Sequence, residues 1–204
     1  MTIDILERLI EIDQAWLLAI NGAHTAWLDQ IFWYISQAWV WIPLYIILVG
    51  LLVMQFGWRK GLLMVLGLAI VAGLSDYVAS GIIKPFVCRL RPTHEPALEG
   101  LVHIVNGYTG GLYGFVSSHA ANTFSVALLF ALFWQQKNSH GWWLLVYAGL
   151  NCYSRMYLGV HYPGDILGGL LVGGAMALLV FWGYRLVDGK LHVGDAADHQ
   201  PDVP

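Results

Sequence analysis

The segment SRMYLGVHYPGD, residues 154–165, places three reactive side chains between two of the most apolar parts of the chain. Arg155 is a cation, His161 an imidazole and Asp165 a carboxylate. An imidazole can attack phosphorus or carry a proton, a guanidinium binds phosphate oxygens, and a carboxylate can orient an imidazole. These residue types at this spacing indicate phosphoryl-transfer chemistry.

Two further clusters supply what such a reaction needs. The sequence KPFVCRLRP runs from Lys84 to Pro92, and VSSHAANTF carries Ser117, Ser118 and His119. Together the three clusters offer cations, hydroxyls, two imidazoles and a carboxylate. A phosphoryl-transfer site without a metal requires fixed positive charge, a nucleophile and a proton donor for the leaving group.

Helix termini are also expected at these clusters. Ser117 and Ser118 are suitable N-cap residues for the helix that follows them, and Pro163 suits the first turn of another helix. Helix N-termini present free N–H groups and bind anions readily. We therefore expect two helix N-termini to face one phosphate.

The other polar residues have plainer interpretations. Lys84 or Arg155 alone would complement a helix dipole and reach the lipid headgroups, and Arg89 is interpreted as an interfacial cation. Asp76 lies inside an apolar segment, and we expect it to support the site through an ion pair behind it. No metal or cofactor is predicted, because no metal-ligand spacing is found among the loop residues His94, Glu95 and His103.

The composition is typical of a helical membrane protein. Of the 204 residues, 58% are hydrophobic and only 11% are charged, whereas soluble domains carry about 25% charged residues. The ten Trp and 23 Gly fit interfacial aromatic residues and small residues at helix contacts. The net charge of −3, with no basic run, gives no indication of a nucleic-acid partner.

The hydrophobic pattern predicts an all-α polytopic membrane bundle of five spans, or six if an additional N-terminal segment crosses. An amphipathic helix over 3–20 is expected at the membrane interface. Pro43 is expected to kink the first span, and Gly169 and Gly173 to form a packing face on the fifth. Residues 1–187 are predicted to form one membrane domain, and 188–204 a disordered polar tail. The spans are 31–54, 61–83, 119–135, 141–157 and 166–184.

With five spans, the three clusters share one side of the membrane. Lys and Arg are equally numerous on the two sides, but most of those on the cluster side fall within or beside the clusters. Without them, the positive-inside rule places Arg59 and Lys60 in the cytoplasm. The predicted location is the bacterial inner membrane, with the clusters facing the periplasm or exterior.

In order along the chain, the clusters read Lys-x6-Arg-Pro, Ser-x-His and Ser-Arg-x5-His-x3-Asp. This combination resembles the type 2 phosphatidic acid phosphatase superfamily, which also includes vanadium haloperoxidases and bacterial acid phosphatases. The resemblance covers roughly residues 60–185 and matches the third motif in full. The second motif departs from the family pattern Pro-Ser-Gly-His, because this chain has Val116, Ser117, Ser118 and His119.

The resemblance implies a role for each motif residue. His161 attacks phosphorus, Asp165 orients His161 and stabilises its positive charge, and His119 protonates the departing oxygen. The phosphate oxygens are bound by three cations and by the start of a helix, namely Lys84, Arg91, Arg155, Ser117 and the backbone N–H of Ser118.

The resemblance also implies a metal-independent phosphatase, and embedding in the membrane favours a lipid phosphate as its substrate. The expected substrates are a polyprenyl pyrophosphate such as undecaprenyl pyrophosphate, phosphatidylglycerol phosphate or phosphatidic acid, with lipid A 1-phosphate as an alternative. A non-catalytic phospholipid-binding or lipid-transport protein is the alternative from another class. The departures at Val116 and Ser118 are its best support.

Overall fold

The computed structural model describes residues 2–137 and 139–197, and within these ranges the regular elements are helices. Four long helices, α3, α4, α6 and α8, form most of the bundle, and α1 and α2 precede them. The helices are α1 Thr2–Gly22, α2 Ala26–Ile35, α3 Ile42–Phe56, α4 Trp58–Asp76, α5 Lys84–Val87, α6 Ser118–Trp134, α7 Leu144–Tyr157 and α8 Pro163–Ala197.

Within the described ranges, three stretches are long and apolar enough to cross a membrane: Ala38–Phe56, Trp58–Val87 and Pro163–Gly189. The second of these is continuous because a π-helical segment, Tyr77–Ile83, joins α4 to α5. Helix α6 is apolar but has only 17 residues, and α7 has 14, as expected from the short third and fourth spans in the sequence. The predicted all-α membrane bundle is confirmed.

The first predicted span, 31–54, is wrong in its bounds. Helix α2 ends at Ile35, and a 3₁₀ turn over Ala38–Trp41 leads into α3. The break is stabilised by the Trp41 indole, whose Nε1 donates to the Ile35 carbonyl at 2.8 Å. Pro43 lies in the first turn of α3 and does not kink it, because a proline there gives up an N–H that has no helical partner.

Helix α6 lies at the centre of the bundle and packs against α4, α7 and α8. Its contact with α8 is close because Gly169 and Gly173 remove side chains from the interface. A Cβ at Gly169 would lie 2.5 Å from the Ser117 carbonyl oxygen and 2.8 Å from the Ala120 Cβ. The predicted small-residue packing face is confirmed. The largest group of buried apolar residues around α6 includes Leu52, Met64, Phe130, Tyr147 and Ala177.

The predicted disordered tail begins at residue 188, but the structure has helix there. Helix α8 continues to Ala197, and the sequence has no proline before Pro201 that would end it. The rest of the predicted tail, 198–204, lies outside the described residues.

The two ends of the bundle carry different chemistry. At one end, Lys137 donates to the Gln55 carbonyl at 2.8 Å, and Lys60 pairs with Asp188 at 3.2 Å. The three predicted motifs lie at the other end, where α5 ends and α6 and α8 begin. Helix α1 also reaches that end, and it exposes an apolar stripe suited to the membrane interface: Ile5, Leu9, Ile12 and Trp16.

The close α6–α8 contact makes a stability prediction. Gly169→Ala places a methyl group against backbone and should lower the free energy of unfolding by roughly 1–3 kcal/mol, because the helices must separate. Gly183→Ala is the matched control, since a Cβ there meets no atom within 4 Å. Thermal unfolding in detergent measures both variants. Equal stability of the two would contradict the close packing.

Candidate active site

The first motif is positioned by the end of α5 and a short backbone pairing. Lys84 begins α5, and Cys88 takes a left-handed conformation with a φ of 53° that ends the helix. The chain then runs antiparallel to the segment before α6. The Arg91 N–H donates to the Leu112 carbonyl at 3.0 Å, and the Gly114 N–H donates to the Arg89 carbonyl at 2.8 Å.

The second motif forms the start of α6. Ser117 is the N-cap, and its hydroxyl oxygen accepts from the Ala120 N–H at 3.4 Å. The Ser117 N–H donates to the backbone carbonyl of Asp165 at 2.9 Å. This bond links the start of α6 directly to the start of α8, so the second and third motifs meet.

The third motif is organised around the Asp165 carboxylate, which is fully buried. Its Oδ2 lies 3.3 Å from the His161 Nδ1 and accepts from the Tyr162 N–H at 3.1 Å. Its Oδ1 accepts from the Arg89 guanidinium at 2.9 Å. Gly114 permits this arrangement, because a Cβ at that position would lie 2.8 Å from Oδ2.

The contacts of His161 determine which ring nitrogen carries the proton. The His161 Nε2 lies 3.2 Å from Nη1 of Arg91, and a guanidinium can only donate. Nε2 must therefore accept, so Nδ1 holds the proton and donates to Asp165. In this tautomer Nε2 carries a lone pair and lies beside Arg91, whose guanidinium is a group that binds phosphate. An unprotonated nitrogen of this kind is what a nucleophile requires.

His161 is only 1% exposed. Burial lowers the pKa of His161 well below its usual range, and the positive charges of Arg91 and Arg155 lower it further. The imidazole is consequently neutral at physiological pH, the state in which it can attack phosphorus.

Arg155 provides a buried cation with unused hydrogen-bonding capacity. It is 2% exposed, and one terminal nitrogen donates to the Tyr108 hydroxyl at 2.9 Å. Its Nε is buried and has no partner among the described residues. A buried unpaired donor is costly, so this guanidinium has a donor available for an acceptor such as a phosphate oxygen.

Lys84 and His119 complete the set of motif residues. Lys84 donates to the Ser118 hydroxyl at 3.3 Å, so the serine that replaces the family glycine contacts the first motif. His119 lies in the first turn of α6, within electrostatic range of His161, Arg155 and Lys84. The structure thus brings together all eight predicted catalytic and phosphate-binding residues at the cluster end of the bundle.

The sequence pattern predicts that Arg89 is an interfacial cation, and the structure shows that this prediction is wrong because Arg89 pairs with two carboxylates. Besides Asp165, it pairs with the Asp13 carboxylate of α1 at 2.7 Å, and its guanidinium lies 4.0 Å from the centre of the Tyr162 ring. Asp13 also accepts from the Gly164 N–H at 2.7 Å. The amphipathic helix is therefore fastened to the start of α8 through buried and half-buried charges.

Asp76 also differs from its interpretation as half of an ion pair behind the site. Among the described residues it has no ion-pair partner within 4.0 Å. It is exposed and accepts from Ser80 at 3.3 Å and from Asn122 at 3.4 Å.

Asp76 lines a cavity of about 530 Å³ together with Ser118, His119 and Asn122. Farther along α3, α4 and α6, the lining is mainly apolar, with Leu48, Val49, Val65, Leu68 and Val126. The cavity therefore connects the motif residues with the apolar interior of the bundle and has the character of a lipid-binding cleft.

Comparison with known proteins identifies the family. The model of the PAP2 superfamily matches residues 61–187. The chain belongs to the PAP2 superfamily. A lipid A 4'-phosphatase of Bacteroides thetaiotaomicron is 37% identical over 171 residues, which cover 83% of this chain and 75% of that protein. A lipid A 4'-phosphatase of Porphyromonas gingivalis is 33% identical over 168 residues, which cover 82% of this chain and 71% of that protein.

A solved structure gives the same result for the fold. The transmembrane PAP2-type phosphatidylglycerolphosphate phosphatase from Bacillus subtilis is 26% identical, with a TM-score of 0.63 over 90% of this chain and 87% of that chain. This PAP2 protein is an integral membrane lipid phosphatase, as the motifs predict.

Sequence reasoning missed Arg89, Asp13 and Tyr108. Tyr108 lies in a long loop with no motif around it, and its contact with Arg155 spans 47 residues. Asp13 did carry a local signal, because it is an acid on the protein-facing side of an amphipathic helix, close to the buried Leu17.

Arg89 is expected to be needed for the integrity of the site. Arg89→Gln leaves the fully buried Asp165 without its cation, and breaking a buried pair in this way destabilises proteins by about 3 kcal/mol or more. The variant should unfold at a lower temperature in detergent and turn over more slowly. Arg59→Gln is the control, since Arg59 is exposed at the opposite end. Similar stability and activity of the two variants would show that Arg89 is only interfacial.

Proposed function

We propose that this PAP2 enzyme removes a phosphate from a membrane glycolipid through a phosphohistidine formed on His161. The observation that carries the proposal is the pair of contacts on the imidazole. Asp165 holds Nδ1, and Arg91 donates towards Nε2. These contacts support a neutral nucleophile whose lone pair lies where a guanidinium can also hold the phosphate.

In the first step, the His161 Nε2 attacks phosphorus and the bond from phosphorus to the lipid oxygen breaks. Arg91, Arg155 and Lys84 bind the non-bridging oxygens, together with Ser117 and the backbone N–H of Ser118 at the start of α6. The departing oxygen takes a proton from His119. Asp165 stabilises the positive charge that the imidazole acquires.

In the second step, water attacks the phosphohistidine and the bond between phosphorus and Nε2 breaks. His119, now neutral, accepts a proton from that water, so it returns to its starting state and inorganic phosphate leaves. The basic side chains neutralise the phosphoryl oxygens throughout, which is the function that a divalent cation has in other phosphatases.

The choice of a glycolipid rests on the relatives and on the cavity. Two relatives, 37% and 33% identical over 83% and 82% of this chain, are named lipid A 4'-phosphatases. A lipid A phosphate would place its sugar beside Asp76 and Asn122 and acyl chains along the apolar lining. Polyprenyl pyrophosphate, phosphatidylglycerol phosphate and phosphatidic acid, the substrates expected first from the family resemblance, are the competing substrates.

Detergent-purified protein should release phosphate from lipid A in excess chelator.

His161→Ala and His119→Ala should each lower kcat by at least about 10²-fold, because each removes a group used in both chemical steps. A radiolabelled phosphoryl group should be trapped on wild-type protein as an acid-labile, base-stable adduct and be missing from His161→Ala. Normal turnover of His161→Ala, or loss of wild-type activity that magnesium restores, would refute the mechanism.

We further propose that the site faces the periplasm of a bacterial inner membrane, because Arg59, Lys60 and Lys137 lie at the opposite end of the bundle. Glu99, an exposed loop residue, lies at the site end. In a background with Cys88 and Cys152 replaced by Ala, Glu99→Cys should react with an impermeant maleimide in intact spheroplasts. Gln136→Cys, exposed at the other end, should react only after permeabilisation. The opposite pattern would reverse the orientation.

A further inference from the structure

The cavity beside His119 contains a carboxylate that the two-step reaction does not use. Asp76 is the one acidic side chain on the lining of this cavity, among the residues that the structure describes. Both hydrogen bonds that it accepts from described residues, from Ser80 and from Asn122, reach Oδ1. No described residue donates to its Oδ2 within hydrogen-bond distance, so this oxygen is available to a donor in the cavity that Asp76 lines. A carboxylate within a membrane-spanning helix normally faces a polar cavity that has a function.

Two helices define where this carboxylate lies relative to the phosphate. On the helix Trp58–Val87, Asp76 precedes Lys84 by eight residues, or about two helical turns. On α6, Asn122 follows Ser118 by one helical turn, and Ser118 accepts the hydrogen bond from Lys84. Asp76 and Asn122 thus lie at least one helical turn farther into the bundle than Lys84 and Ser118, which are proposed to hold the phosphate.

An in-line displacement determines which part of the substrate enters this position. The nucleophile and the leaving group lie on opposite sides of phosphorus, and His161 occupies the buried side. In the proposed reaction the leaving oxygen takes its proton from His119, and His119 lines the cavity. The atoms just beyond the leaving oxygen are consequently the ones that meet Asp76 and Asn122.

We propose that Asp76 and Asn122 form a leaving-group subsite that selects alcohols carrying hydroxyl or amide N–H donors and disfavours leaving groups that are themselves phosphates. This inference rests on the proposed function and narrows its substrate class. The substrate is a phosphomonoester of a sugar or polyol lipid, and lipid diphosphates are poor substrates.

The selection follows from the charge of the carboxylate. A hydroxyl or amide N–H beside the scissile oxygen donates a charge-assisted hydrogen bond to Asp76, and such bonds are stronger than neutral ones. A lipid diphosphate departs as an anionic lipid monophosphate. That product would place its charge next to Asp76 in a partly dehydrated cavity, where like charges repel more strongly than in water. Lys84 lies within electrostatic range of Asp76, but it is already engaged with the transferred phosphate.

Three substrates separate the two effects. A diacylated glucosamine 4-phosphate carries donors, farnesyl diphosphate carries an anionic leaving group, and dodecyl phosphate carries neither. Asp76→Asn removes the charge and nearly keeps the shape of the side chain. We expect kcat/KM to fall about tenfold for the glucosamine lipid, to rise for farnesyl diphosphate and to change little for dodecyl phosphate. The ratio of kcat/KM for the glucosamine lipid to kcat/KM for farnesyl diphosphate should fall by more than about tenfold.

Two further variants make the result decisive. Asn122→Asp adds a second negative charge to the subsite and should shift the ratio in the opposite direction, which also covers the case in which Asp76→Asn fails to fold. Glu99→Gln removes a negative charge from the outer loop, away from the cavity, and should leave the ratio unchanged.

The outcomes distinguish this inference from the proposed function. If wild-type protein hydrolyses none of the three substrates, the proposed function fails. If it hydrolyses them but neither Asp76→Asn nor Asn122→Asp shifts the ratio, only the leaving-group subsite is refuted. A shift equal to that of Glu99→Gln would likewise refute it, because it would reflect net surface charge alone.

Discussion

The structure depends on holding several positive charges close together in a protein that has few charges. Lys84, Arg89, Arg91 and Arg155 converge on one end of the bundle, and Asp165 is the fully buried carboxylate among them. Cations crowded at low dielectric repel each other and lose hydration. The site is stable only if carboxylates, carbonyls and aromatic faces compensate for that loss.

The compensation accounts for much of the local architecture. Arg91 donates to the carbonyls of Tyr113 and Val160, Arg155 donates to Tyr108, and Arg89 joins Asp165 to the N-terminal helix. The compensation is incomplete, since a buried nitrogen of Arg155 has no partner among the described residues. A phosphate would supply the missing negative charge and acceptors. Affinity for the anion and the strain of crowding the cations therefore have the same origin.

The two sides of this charge cluster differ in their surroundings. One side of the site is enclosed by the loops and by α1, and the other side opens through His119 into a cavity that becomes apolar between the helices. In the proposed reaction, a lipid phosphate binds with its phosphate among the cations and its chains in the cavity. The only carboxylate on the described lining lies where these two environments meet, which is the position at which substrates with different leaving groups differ.

The sequence by itself determined the class of the protein, most of its helices and the residues of the three motifs. These features are local: hydrophobic length, small-residue spacing at Gly169 and Gly173, and residue types in a fixed order. Tertiary structure decided which partners the polar side chains have. Arg89 has the local pattern of an interfacial cation, yet its carboxylate partners are each 76 residues away. Asp76 lines the cavity and accepts a hydrogen bond from Asn122 of α6, which is 46 residues away in the chain. The strength and role of a charge depend on distances to groups remote in the chain, and no local pattern encodes those distances.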